Sequence, residues 1–127
     1  MAKQIVVLSV GCMDAMMLSG WEARREEAMQ SRKWMERQER KVDGAMRAFD
    51  GYVEAAEREG RGFVVGVEIS IADIAIVCAV GAVEWGEVRP GWRDRYPVLA
   101  RYFDRLDGLD EFKETRPVMF DLTEQVV

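Results

Sequence analysis

A chain of 127 residues, 49% hydrophobic and 32% charged, is long enough to bury a core and too apolar to remain disordered, so one domain over 1–127 is expected. Its net charge of -5 and lack of any long Lys/Arg run argue against a nucleic-acid face, and the absence of histidine removes His-based acid–base catalysis and His metal ligation, so no metal is expected. Cys12 and Cys78 lie in apolar segments without CxxC spacing, which reads as reduced, buried thiols in a cytoplasmic protein.

The first predicted element runs from about Ala2 to Met29 and carries two apolar stripes at helical spacing. Ile5, Leu8, Cys12 and Met16 form one, and Val6, Val10, Met13 and Met17 the other. The stripes lie about 130° apart, so a core on one side and a second subunit on the other would cover both. The apolar run from Ile5 to Leu18 superficially resembles a signal peptide, but Asp14 interrupts it and no small-residue cleavage site follows. The run is also shorter than the ~20 residues of a membrane span, so no membrane role is expected. Charge takes over from Trp21 onward, and a break is expected near Gln30 and Ser31.

Ser31 is the N-cap expected for a second long helix, whose apolar positions Met35, Val42, Met46, Phe49, Val53 and Ala56 make one stripe. Glu36 with Arg40 and Glu54 with Arg58 are i,i+4 pairs, worth ~0.3–0.5 kcal/mol each. Gly60 and Gly62 are expected to end the helix. Phe63 to Val67 is the only strand candidate, and it is too short and glycine-interrupted to stand.

Ser70 followed by Asp73 is a capping arrangement. The hydroxyl would accept from the third helical amide while the carboxylate accepts from the Ser70 amide, and Ile69 and Ile74 have the spacing of a hydrophobic staple. Substituting Ser70 by Ala should cost ~0.5–2 kcal/mol, and Asp73 by Ala a similar or smaller amount. The helix from Ile71 to about Val83 has no charge after Asp73, so it is expected to be buried all round at the centre of the bundle. Pro97 opens a helix with an apolar face of Val98, Leu99, Tyr102, Phe103 and Leu106, and Gly108 ends it. Asp110 is the expected cap of a last short helix, stopped by Thr115, Arg116 and Pro117. The fold class is therefore all-α, an up-and-down helical bundle.

An Ile69-Ser70-Ile71-Ala72-Asp73 box, a Tyr96-Pro97-x-Leu99 helix start and a Phe112-x-x-Thr115-x-Pro117 close occur in that order. Upstream stand Gly11-x-x-Asp14-Ala15, Trp21-Glu22-x-Arg24-Arg25 and Ser31-x-x-Trp34. Together they resemble the all-helical C-terminal domain of the glutathione S-transferase family over nearly the whole chain, in a bacterial and fungal branch. The proline often found before the last Phe is missing, with Asp110 near that place. The resemblance implies an electrophile pocket and much of a dimer interface. In the family a thioredoxin-like N-terminal half binds glutathione and supplies the Ser, Tyr or Cys that stabilises its thiolate, and this sequence has no segment resembling that half.

The candidate substrate-binding residues are Asp14, Met17, Trp21, Arg24 and Arg25, and no catalytic residue is assigned. Asp14 is a lone carboxylate on an apolar helix face with no opposite charge at i±3 or i±4. The resemblance implies a contact across the dimer to the amino group of glutathione; pairing with an arginine elsewhere, or simple exposure at a groove, is the alternative. Trp21 beside Arg24 and Arg25 would line a pocket for an aromatic or anionic substrate, or else cap the bundle while the arginines pair with Glu22 or Glu26. Met13, Met16 and Met17 would form an adaptable apolar wall, or ordinary core or dimer contact. Ser70, Asp73, Ile69 and Ile74 are read as structural.

The expected function is a glutathione S-transferase-like domain that provides the hydrophobic-substrate pocket and a homodimer interface through the first two helices. Its chemistry would require a thioredoxin-like domain in cis or in trans. The alternatives are a stand-alone non-catalytic module that binds a hydrophobic small molecule or a protein partner, and a small divergent enzyme using the bundle pocket directly.

Overall fold

The computed structural model describes residues 1–118, so of the single domain read over 1–127, residues 119–127 lie outside the described residues. The described chain is all-helical: α1 (Ala2–Ala23), a 3-10 turn (Glu27–Met29), α2 (Arg32–Arg58), α3 (Ile71–Trp85), α4 (Trp92–Arg95), α5 (Pro97–Asp107) and α6 (Asp110–Glu114). No strand occurs among the described residues, and residues 63–67 form bends. α1 packs on both α2 and α3, and α5 lies across α2 and α3.

α1 stops at Ala23 rather than near Met29 because polar groups close the turn behind it. The Gln30 amide donates to the carbonyls of Ala23 and Arg25 at 3.1 and 2.8 Å, and the Glu22 carboxylate accepts from the Ser31 amide at 2.7 Å. The Ser31 bond, then the Arg25 guanidinium, holds the Glu22 carboxyl below the usual range. Ser31 caps α2 by accepting from Trp34 at 3.3 Å. At 22 residues, α1 is long and apolar enough to cross a membrane, so the length argument made from Ile5 to Leu18 does not hold. Its packing is that of a bundle helix: Ile5, Cys12 and Ala15 are buried in the common core.

The stripe on α2 is filled out by buried Ala45 and Gln38. Gln38 is fully enclosed. Its Oε1 accepts from Lys41 at 3.0 Å, while Nε2 has no partner among the described residues. Beside the stripe, three acids spaced by seven hold other elements. Asp43 pairs with Arg89 at 2.6 Å, Asp50 accepts from the Leu99 amide at 3.1 Å, and Glu57 reaches Arg101 at 3.5 Å. Asp50 thus caps α5 from outside, satisfying an amide that Tyr96 and Pro97 leave open. Burial pushes the Asp50 carboxyl up despite that bond.

α3 buries seven of its 15 residues, against six of 22 in α1 and seven of 27 in α2. It is not buried all round, however. Ile71, Ile74, Cys78 and Trp85 form an outward apolar face, so the expected enclosure is corrected to a helix with one uncovered side. An uncharged sequence records only the lack of charge, not which neighbours are present. α4 was not expected; four residues carry no periodicity to read. Its Trp92 stands edge-on to Phe103 at 5.9 Å, and Arg93 bonds Glu84 at 2.6 Å and Asp104 at 2.9 Å, tying α3 to α5. In α6, Leu109 holds the cap position and Asp110 is the first helical residue, where its charge meets the positive end of the helix.

Candidate functional site

The N-terminus of α3 is organised around one carboxylate. The capping box is complete: the Ser70 hydroxyl accepts from the Ala72 amide at 3.3 Å, and Asp73 Oδ2 accepts from the Ser70 amide at 2.8 Å. Oδ2 also accepts from the Ser70 hydroxyl at 2.6 Å, and Oδ1 from the Val64 amide at 2.9 Å and the Tyr102 phenol at 2.5 Å. Asp73 is 0% exposed, and these bonds join the loop after α2, the start of α3 and the middle of α5. Burial, then the bond to Asp73 and its charge, raise the Tyr102 phenol far above its ordinary value. Ile69 and Ile74 flank the box on the surface, both partly open to solvent.

Along the side and far end of α3 the chemistry changes. A cleft of about 620 Å³ opens between α1, α3, the end of α5 and α6. Met13, Met16 and Met17 form one wall, Cys78 and Trp85 the other, and Phe103 and Phe112 close it from α5 and α6. Gly81 and Ala82 leave room between the walls; a Cβ on Gly81 would stand 3.6 Å from the Phe103 ring. At the mouth Arg116 is ion-paired with Asp107. The volume lies within the ~300–1,000 Å³ of small-molecule sites, and flexible thioethers with aromatic rings suit varied apolar ligands.

Of the sequence candidates, Met17 lines this cleft, while Asp14, Trp21, Arg24 and Arg25 do not. Asp14 is exposed, on the outward strip of α1 with Val7, Val10, Leu18 and half-exposed Trp21. Arg24 stacks over the Trp21 ring at 5.2 Å, and Arg25 pairs with Glu22 at 3.1 Å, so these residues form a tryptophan–arginine corner apart from the cleft.

Cys78 is exposed, which corrects the expectation that both thiols are buried; Cys12 is enclosed. Burial pushes the Cys12 thiol up to about 11, and partial burial raises Cys78 as well, so neither is a thiolate at neutral pH. Trp85, Phe103 and Phe112 were missed as cleft residues. The available signal was the pairing of Trp85 with Gly81 and Ala82, a large ring one turn beyond two small residues on a single helix face. The described residues contain no group of His, Cys, Asp and Glu able to hold a metal.

The sequence profile of the "Glutathione S-transferase, C-terminal domain" family matches residues 9–110. The chain belongs to the glutathione S-transferase family. It is 31% identical over 115 residues to the uncharacterized GST-like protein YibF of Escherichia coli K12, covering 91% of this chain and 54% of that protein. A glutathione S-transferase of Methylobacterium radiotolerans, solved with glutathione sulfonate, superposes with a TM-score of 0.86 at 32% identity, over 99% of this chain and 57% of that one. A glutathione S-transferase of Methylobacillus flagellatus with bound glutathione gives 0.82 at 32% identity, over 92% and 55%. The chain thus spans about half the length of these relatives.

Proposed function

We propose that this chain is the electrophile-binding and dimer-forming half of a glutathione S-transferase-like cytoplasmic protein, whose sulfur chemistry belongs to a thioredoxin-like half in cis or in trans. The observation that carries the reading is the cleft of about 620 Å³, apolar on both walls and bordered by the uncovered face of α3. A hydrophobic small molecule would lie between Met13, Met17, Trp85 and Phe112. The outward strip of α1, with Val7, Val10, Leu18 and Trp21 exposed, supports a homodimer through α1 and α2.

Glutathione fits this chain only in part. Asp14 offers an exposed carboxylate for its ammonium group, but activating the thiol needs a donor held at the sulfur, and the phenols present are committed elsewhere. Tyr102 is locked to Asp73, Tyr96 is buried in the core, and Tyr52 packs half-buried against it.

The test joins binding to catalysis. The chain alone should bind a fluorescent apolar dye saturably, and Met17→Lys should weaken that binding by roughly threefold to tenfold. It should not conjugate glutathione to 1-chloro-2,4-dinitrobenzene above the uncatalysed rate, and should gain that activity when a family thioredoxin-like half is supplied. Binding without any such gain would instead favour the stand-alone module. Conjugation by the chain alone, abolished by one substitution within it, overturns the proposal.

A further inference from the structure

A second cleft, of about 250 Å³, shares no residue with the apolar one. It lies between the end of α2, the loop that follows it and α5. Val53 and Ala56 form an apolar floor, and Arg61, Arg101 and Arg105 meet over it with Glu57 as the only acid. That local excess of positive charge stands in a chain of net charge -5.

The guanidiniums differ in how they are held. Arg61 is fully engaged, with Glu59 at 2.7 Å and the carbonyls of Phe63 and Val64 at 2.9 Å each, so its charge is largely answered and it serves to hold the loop that walls the cleft. Arg105 donates to the Gly62 carbonyl and lies over the rings of Phe63 and Tyr102 at 5.4 and 5.5 Å, yet no carboxylate pairs with it among the described residues. Arg101 is one turn earlier on the same helix, 64% exposed, and touches Glu57 only at 3.5 Å.

We propose that this cleft binds a small dianion of the phosphate-ester class. Arg105 is pre-positioned by its aromatic stacking, and Arg101 is free to leave Glu57 and close on the anion. Guanidinium forks match paired phosphate oxygens, and the floor of Val53 and Ala56 faces the carbon part of the ester. The site is independent of the proposed transferase role.

The test is calorimetric titration and thermal melting of the chain with phenyl phosphate and with inorganic phosphate, against chloride at equal ionic strength. Phenyl phosphate should bind saturably and more tightly than inorganic phosphate. Arg101→Gln should weaken binding at least roughly threefold, the loss expected for one charge-assisted bond at an exposed site. Glu57→Gln, which removes the competing carboxylate, should tighten it, a change of sign that no folding defect imitates. Stabilisation no greater than in chloride, or equal binding by the Arg101→Gln protein, overturns the site; equal binding of the two phosphates overturns the ester assignment.

Discussion

The two ends of α3 solve opposite problems with neighbouring residues of one helix. At its start, Asp73 is sealed from water and its four hydrogen bonds, two of them to Ser70, tie together three parts of the chain, so the polar group is tolerated because it is fully paired. Toward its end, Cys78 and Trp85 stand open beside a cleft with no polar group organising them. The first arrangement fixes the fold; the second leaves surface for a ligand or another domain. The buried polar knot is spent on the fold, whereas the proposed binding cleft lies along the uncovered apolar face beside it.

The sharpest way to break the contrast is at Asp73. Removing its carboxylate by Asp73→Ala strands the buried Val64 amide and the Tyr102 phenol, along with the cap, and should cost about 3–5 kcal/mol in denaturant melts. Ser70→Ala loses one cap acceptor and should cost ~0.5–2 kcal/mol. The sequence alone ranks the two as similar, because a capping box shows only the bonds inside it; the structure adds partners nine and 29 positions away and reverses the order. Equal losses for the two variants would mean that Asp73 is only a cap.

The Tyr102 phenol gives the same knot a pH signature. Its folded-state pKa is raised above that of the unfolded chain, so its contribution is fully present below about pH 10 and is lost as pH rises through that value, where the unfolded chain begins to release the proton. The parent should therefore begin to lose stability near pH 10 and go on losing it as pH rises further toward the raised folded value. Tyr102→Phe should begin ~1–2 kcal/mol less stable at neutral pH and show a flatter alkaline limb, because it has no phenol to ionise. A variant whose alkaline slope matches that of the parent would remove Tyr102 from the knot.

What was legible in the sequence follows the same divide. Periodicity and caps are local, so the α2 stripe, the Ser70 box, the Pro97 start and the absence of strands could all be read within one turn of helix. The polar groups that set boundaries across space were silent. Gln30 closes α1, and Asp50 caps α5 from 49 residues away. The cleft was half legible, through its methionine wall on one helix. Trp85, Phe103 and Phe112 become one site only when α3, α5 and α6 converge. Trp21, Arg24 and Arg25 adjoin in sequence and satisfy one another or Glu22, so their clustering carried no information about the cleft.

The smallest expected effect lies where α3 ends, and it separates strain from packing. The Glu87 amide donates to the Glu84 carbonyl at 3.1 Å and the Val88 amide to the Val83 carbonyl at 3.2 Å, the paired bonds of a Schellman close. The end of α2 is built the same way, with Gly60 at φ +70 in the left-handed position. In α3 that position falls on Glu87, at φ +50, while the glycine sits one residue earlier, in right-handed backbone at φ -80. The displacement has a packing reason. A Cβ on Gly86 would stand 3.2 Å from both the Ala82 carbonyl oxygen and the Val88 side chain, and 3.5 Å from the Met16 sulfur, so a side chain there would press its neighbours by a few tenths of an ångström where the helix approaches the cleft wall. Glu87 therefore bears a conformation that glycine adopts freely, and Glu87→Gly should raise stability by roughly 0.5–1 kcal/mol. Gly86→Ala should lower it, because the backbone oxygen it meets cannot move aside as a flexible side chain would. Paired thermal melts decide between the two causes: if Glu87→Gly is destabilising while Gly86→Ala is neutral, the glycine serves the turn and the packing explanation is wrong.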